Sequence, residues 1–122
     1  MFQILLVEDD HQFRKVLKQQ LNEWFPSAAI EEASGGKEAM EKADLFCPQV
    51  VFMDVRLPDE SGIETTRKIK AKYPSAHVAM MTSYDLPEYR QAATECGANH
   101  FFVKGSSDGR EIKVLVQSLL KK

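Results

Sequence analysis

The sequence predicts a single α/β domain in which a parallel sheet is covered by helices on both faces. Three observations carry this. Five short apolar runs alternate with five stretches of helical periodicity. The strongest run, Val50-Val51-Phe52-Met53, is apolar on both faces, as a buried parallel strand must be. No linker, repeat or low-complexity segment interrupts the alternation, so residues 1–122 read as one domain. Parallel strands need right-handed crossovers that cover the sheet, which puts helices on both sides.

Phe2 to Val7 forms the first strand, broken only by Gln3. Phe13, Val16, Leu17, Leu21 and Trp24 then recur at helical spacing until Pro26 stops the helix. A weaker strand lies around Ala28 to Glu32, and Ser34-Gly35-Gly36 opens a second helix carrying Ala39, Met40 and Ala43. The third strand ends at Asp54. Ser61 and Glu64 have capping-box spacing and start a third helix that contains Ile63 and Ile69 and closes at Tyr73-Pro74. His77 to Met81 is the fourth strand. Pro87 suits the first turn of the fourth helix, which runs to Cys96, and Gly97 suits a left-handed cap. Phe101-Phe102-Val103 is the fifth strand. Asp108 and Glu111 repeat the capping-box spacing before a last helix with Ile112, Leu115, Val116, Leu119 and Leu120 on its apolar stripe.

Composition narrows the function classes. Hydrophobic content of 43% and charged content of 28% are those of a soluble globular chain. No apolar run approaches the roughly 20 residues that span a bilayer, and the opening segment turns acidic too early for a signal peptide. A cytoplasmic location with no membrane contact is expected. A net charge of −2 provides no footprint for direct nucleic-acid binding. Cys47 and Cys96 lack metal-ligand spacing and read as reduced, partly buried thiols. The three histidines, His11, His77 and His100, are scattered, which argues against zinc.

In an open α/β sheet, ligands bind outside the carboxyl ends of the strands. Here the first strand ends in Glu8-Asp9-Asp10, the third in Asp54, the fourth in Thr82-Ser83 and the fifth in Lys104. Carboxylates gathered at one edge repel, and a divalent cation removes that cost. All-oxygen ligands favour Mg²⁺, which takes one or two protein carboxylates and keeps several waters. Asp54 is then free to act as a nucleophile that forms an acyl phosphate, with Thr82 and Lys104 binding the other phosphoryl oxygens. The plain alternative is that acidic strand ends only cap the following helices. Asp10 is read that way, because it directly precedes the first helix.

Four segments, ILLVEDD (Ile4 to Asp10), VVFMDVRLPDESG (Val50 to Gly62), MMTS (Met80 to Ser83) and GANHFFVKG (Gly97 to Gly105), occur in an order and at separations that are highly specific together. On these residues the chain resembles the response-regulator receiver domain along essentially its whole length. The resemblance implies a doubly wound, five-stranded parallel sheet with strand order 2-1-3-4-5. It implies that Asp54 is phosphorylated, that Asp9 ligates Mg²⁺ directly and Glu8 through water, and that Arg56 supplies a backbone carbonyl to the metal. Thr82 matches the switch hydroxyl and Lys104 the family's lysine. Phe101 falls at the switch aromatic, although an ordinary hydrophobic residue on an edge strand reads equally well.

The chain departs from the family pattern in two places. Gly105-Ser106-Ser107 follows Lys104 where receivers usually have proline, so a cis bond there is not expected. That run, with GIETTRKI, looks like receivers of the NarL/FixJ/LuxR type that precede DNA-binding domains. The bulky Arg56 and Tyr84 should flank the mouth of the site and impede hydrolysis of the acyl phosphate. The implied partners are a sensor histidine kinase or phosphotransfer protein, a second copy on phosphorylation, and a C-terminal DNA-binding output domain. The implied chemistry is limited to the chain's own phosphorylation and dephosphorylation. Two alternatives stand beside this. A haloacid-dehalogenase-like phosphatase would need a second aspartate where Arg56 stands, and a receiver-like interaction module would go unphosphorylated. A nucleotide-binding domain is weaker, since no Gly-rich loop follows the first strand.

Overall fold

The computed structural model describes residues 2–105 and 109–121. Its elements, in chain order, are β1 (Gln3–Val7), α1 (His11–Trp24), β2 (Ala29–Ala33), α2 (Gly36–Phe46), β3 (Val50–Asp54), α3 (Gly62–Lys72), β4 (His77–Thr82), α4 (Pro87–Glu95), β5 (His100–Val103) and α5 (Arg110–Leu120). The strands form one parallel sheet in the order β2-β1-β3-β4-β5, as the resemblance implied.

Burial follows position in the sheet. All five residues of β3 are buried, as are the last four of β1 and the last five of β4, whereas the edge strand β5 is half-buried throughout. Successive side chains point to opposite faces, so each central strand feeds two cores. Ile4, Leu6, Val50, Phe52 and Met81 pack against Leu17 and Leu21 of α1 and Val116 of α5. Leu5, Val7, Val51, Met53 and Met80 pack against Ala39 of α2, Ile69 of α3 and Ala93 of α4. This sandwich holds the carboxyl ends of β1, β3, β4 and β5 along one edge.

Local chemistry sets the helix ends. Asp10 caps α1, its carboxylate accepting from the Gln12 and Phe13 N–H groups, as its position suggested. Ser61 Oγ accepts from Ile63 N–H at the start of α3, while Glu64 pairs with Arg67. Gly97 takes φ 95°, and the Ala98 and Gly97 N–H groups bond back to Ala93 and Thr94 carbonyls, closing α4 in a Schellman motif. Gly62 serves close approach: a Cβ there would lie 1.9 Å from the Asp54 carbonyl oxygen.

Several expectations are corrected. β1 starts at Gln3, and β2 runs to Ala33. Val16 and Leu120 are each 44% exposed, because they fall beside the buried stripes of α1 and α5. Cys47 is exposed and only Cys96 of the two thiols is buried; Cys47 takes φ 50° where α2 must turn sharply before Pro48. The Asp108 cap lies outside the described residues, and Gly109 with φ 87° stands at the start of α5. No peptide bond among the described residues is cis, and Gly105 takes φ 79° after Lys104.

Candidate functional site

Asp54 sits at the end of the central strand β3 and is 7% exposed. Glu8, the residue after β1, is 1% exposed, and Thr82, the last residue of β4, is also 1% exposed. Lys104 follows β5, and its backbone N–H donates to the Thr82 carbonyl at 2.7 Å. That bond continues the ladder one step and delivers the lysine stem to the sheet edge. Its ammonium pairs with the Glu8 carboxylate and stands 3.5 Å from Asp54 Oδ1. Three strand tips, separated by up to 96 residues in sequence, therefore meet in one charged cluster.

Burial and the neighbouring Glu8 charge push the Asp54 carboxyl up to about 6, against the opposing pull of Lys104. Two carboxylates facing one ammonium leave net negative charge in a largely dry place. A divalent cation fits that imbalance. Among the described residues no three His, Cys, Asp or Glu side chains gather as a metal cage. Mg²⁺ does not need one, since it takes one or two carboxylates and completes its octahedron with water. Asp9, adjoining Glu8, is exposed and open to solvent.

The remaining residues singled out in the sequence lie around this cluster. Thr82 Oγ1 accepts from the Tyr84 N–H at 3.1 Å, which fixes the start of the β4–α4 loop. The exposed Arg56 places its guanidinium 4.2 Å from the Tyr84 ring centroid. It also donates twice to the Tyr89 hydroxyl of α4, at 3.2 and 3.1 Å. Arg56 thus joins Tyr84 to α4 through Tyr89. Phe101 is half-buried against the α2–α3–α4 core, and the Arg90 guanidinium lies 4.7 Å over its ring. Asp85 holds Arg90 from the β4–α4 loop at 2.6 Å.

Sequence reasoning missed three residues that shape the site. Phe13 of α1 lies beneath the Lys104 ammonium, 4.5 Å from nitrogen to ring centroid. A cation over an aromatic face is attracted by the ring quadrupole, so Phe13 helps aim the lysine. Asp59 accepts from the Gly36 and Lys37 N–H groups at 2.8 and 3.0 Å, capping α2 from the β3–α3 loop. Those bonds hold its carboxyl below the usual range. Arg14 of α1 is buried and donates to the Glu8 backbone carbonyl. Its signal was available: a basic residue occupies a position on the buried stripe of α1.

Residues 4–117 match the response regulator receiver domain family. The chain is 37% identical over 102 residues to the chemotaxis protein CheY of Halobacterium salinarum, covering 84% of this chain and 83% of that protein. It is 31% identical over 116 residues to the transcriptional regulatory protein LnrK of Bacillus subtilis, covering 95% of this chain and 53% of that one. The chain spans between 26% and 53% of the length of several curated relatives it matches. Among solved structures, response regulator protein TrrA of Thermotoga maritima in complex with Mg²⁺-BeF has a TM-score of 0.85 at 31% identity, covering 98% of this chain and 99% of that one.

Proposed function

This chain belongs to the response regulator receiver family, in which phosphorylation on an aspartate is the general mechanism, and we propose that Asp54 is the phosphorylated residue here. One observation carries the assignment: Asp54 is the buried carboxylate at the tip of the central strand, 3.5 Å from a Lys104 ammonium that it shares with Glu8. A carboxylate held up to about 6 by burial and a like charge is still ionised at neutral pH, and so remains nucleophilic.

Asp9, Asp54 and the Arg56 backbone carbonyl would hold Mg²⁺, with Glu8 acting through water. Bound there, the ion offsets the charge of an incoming phosphoryl group. An Asp54 carboxylate oxygen attacks phosphorus, forming the acyl phosphate as the bond from phosphorus to the donor nitrogen breaks and its electron pair leaves with the donor. Lys104 transfers its pairing from the carboxylates to a phosphoryl oxygen. Thr82 supplies a hydroxyl one strand away. The added charge of about −1.5 to −2 draws these two groups together and shifts the β4–α4 loop through the Thr82 bond to Tyr84. Phe101, covered by Arg90, is then the side chain whose turn remodels the face made by α4, β5 and α5.

The donor in this reading is a sensor histidine kinase or phosphotransfer protein. The remodelled face, or the α1–α5 face, binds a second copy or an output domain. LnrK is named as a transcriptional regulator and is about twice as long as the matched region, which supports DNA binding by a separate domain. A net charge of −2 gives this one no overall electrostatic footprint for nucleic acid. The domain is a signalling element that turns over no external substrate. No described helix is long and apolar enough to cross a membrane, in keeping with action in the cytoplasm. Treatment with acetyl phosphate and Mg²⁺, followed by mass mapping of the modified peptide, tests the assignment. Label at residue 54, lost in Asp54→Asn, is expected; an unmodified residue 54 refutes it.

A further inference from the structure

Arg14 is 9% exposed, although a guanidinium is rarely buried without a full set of partners. Each part of its fork is engaged. Nη1 donates to the Glu8 carbonyl, Nε donates to Glu32 Oε1 at 3.0 Å, and Nη2 lies 3.0 Å from His11 Nδ1. Lys18 anchors the other oxygen of Glu32, also at 3.0 Å. The Glu8 carbonyl belongs to the peptide that carries Asp9, so fixing that oxygen fixes how the acidic pair leaves β1. The Glu8 N–H is held by the Ala33 carbonyl at 3.0 Å and its carboxylate accepts from the Asp10 N–H at 3.0 Å, while Arg14 holds the carbonyl oxygen of the peptide between Glu8 and Asp9.

We propose that Arg14, braced by Glu32, is a positioning residue for the Mg²⁺-binding acidic pair and acts through the backbone carbonyl of Glu8. This inference rests on the proposed Mg²⁺ site. Its sign separates geometry from charge. A guanidinium that donates to the Glu8 carbonyl repels a divalent cation held next to that peptide, so removing it for charge alone would tighten Mg²⁺ binding. Removing a brace instead loosens the peptide and weakens binding. Partners of this kind around metal ligands typically alter affinity by about 10- to 100-fold. Lysine keeps the charge but lacks the planar fork, and cannot reach the Glu8 carbonyl and Glu32 together.

The test is calorimetric Mg²⁺ titration of the whole chain, without any phosphoryl donor, for the wild type, Arg14→Met, Arg14→Lys and Glu32→Gln. Arg14→Met should weaken Mg²⁺ binding about 10-fold or more, and Arg14→Lys should not restore it. Glu32→Gln should shift the affinity in the same direction by less. With acetyl phosphate, the half-saturating Mg²⁺ concentration should rise while the maximal rate is recovered at high Mg²⁺. Unchanged or tighter binding in Arg14→Met overturns the inference. If that variant does not fold, unchanged affinity in a folded Glu32→Gln does the same. Failure of the wild type to bind Mg²⁺ would instead remove the site reading on which the inference stands.

Discussion

The Lys104 ammonium pairs with Glu8 and stands 3.5 Å from Asp54, so a single cation from the end of β5 serves two acids from the ends of β1 and β3. That shortage of positive charge has consequences for stability, pH dependence and phosphorylation.

Asp54→Asn should stabilise the metal-free protein at neutral pH. The Asp54 carboxyl is raised from 3.8 to about 6 in the folded chain, chiefly by burial and then by Glu8. Below 3.8 both folded and unfolded states hold the proton, and Asp54 contributes nothing. Between 3.8 and 6 the unfolded state ionises first, so stability falls as pH rises; above 6 the penalty is constant. It amounts to ~3 kcal/mol at most. Urea melts in chelator should therefore show a gain of about 1–3 kcal/mol at pH 7.5 that shrinks toward pH 4. A gain independent of pH would contradict the electrostatic origin.

Lys104→Ala should destabilise the metal-free protein at pH 7.5 by about 3 kcal/mol, because two buried acids lose their shared partner. The loss should diminish at pH 5 as Asp54 takes a proton. The variant should retain some acceptance of phosphoryl from acetyl phosphate, measured by intact mass. Amide exchange in α4 and β5 should no longer change on phosphorylation.

Replacing Arg56 or Tyr84 with alanine should shorten the acyl phosphate lifetime by opening the mouth of the site to water. Their 4.2 Å stacking makes the effects non-additive. The double variant should dephosphorylate at nearly the rate of the faster single variant. Release of phosphate timed after donor removal checks this, and multiplicative effects would show that the two side chains act independently.

Gly62→Ala should cost about 3 kcal/mol or more, because its Cβ would lie 1.9 Å from the Asp54 carbonyl oxygen. Relief requires α3 to draw away from the end of β3. Phosphorylation of any folded fraction should slow, since the same backbone carries Asp54. A thermal melt near the wild-type value would show that the helix start yields more easily than its close packing suggests.

Much of this molecule was legible from local pattern. The apolar runs and helical stripes located all five βα units, and Asp54, Thr82 and Lys104 announced themselves as polar residues ending apolar strands. Period and punctuation are short-range properties, so they survive in the sequence. The edge strand β2 was harder to bound, because its half-buried residues carry a mixed pattern.

The sequence by itself determined the α/β class, the alternation of elements and which strand ends carry acids, a hydroxyl and a lysine, because these depend on neighbours a few residues apart. Tertiary structure alone decided that Phe13 would lie under Lys104, that Asp59 would cap α2, that Arg90 would cover Phe101, and that Arg14 would brace Glu8 from within the α1 stripe. Most of these contacts join different elements, and the Arg14 brace depends on Glu32 of the edge strand. A polar group buried by folding must take whatever partner the packed layers bring within reach, and no periodicity along the chain encodes that choice.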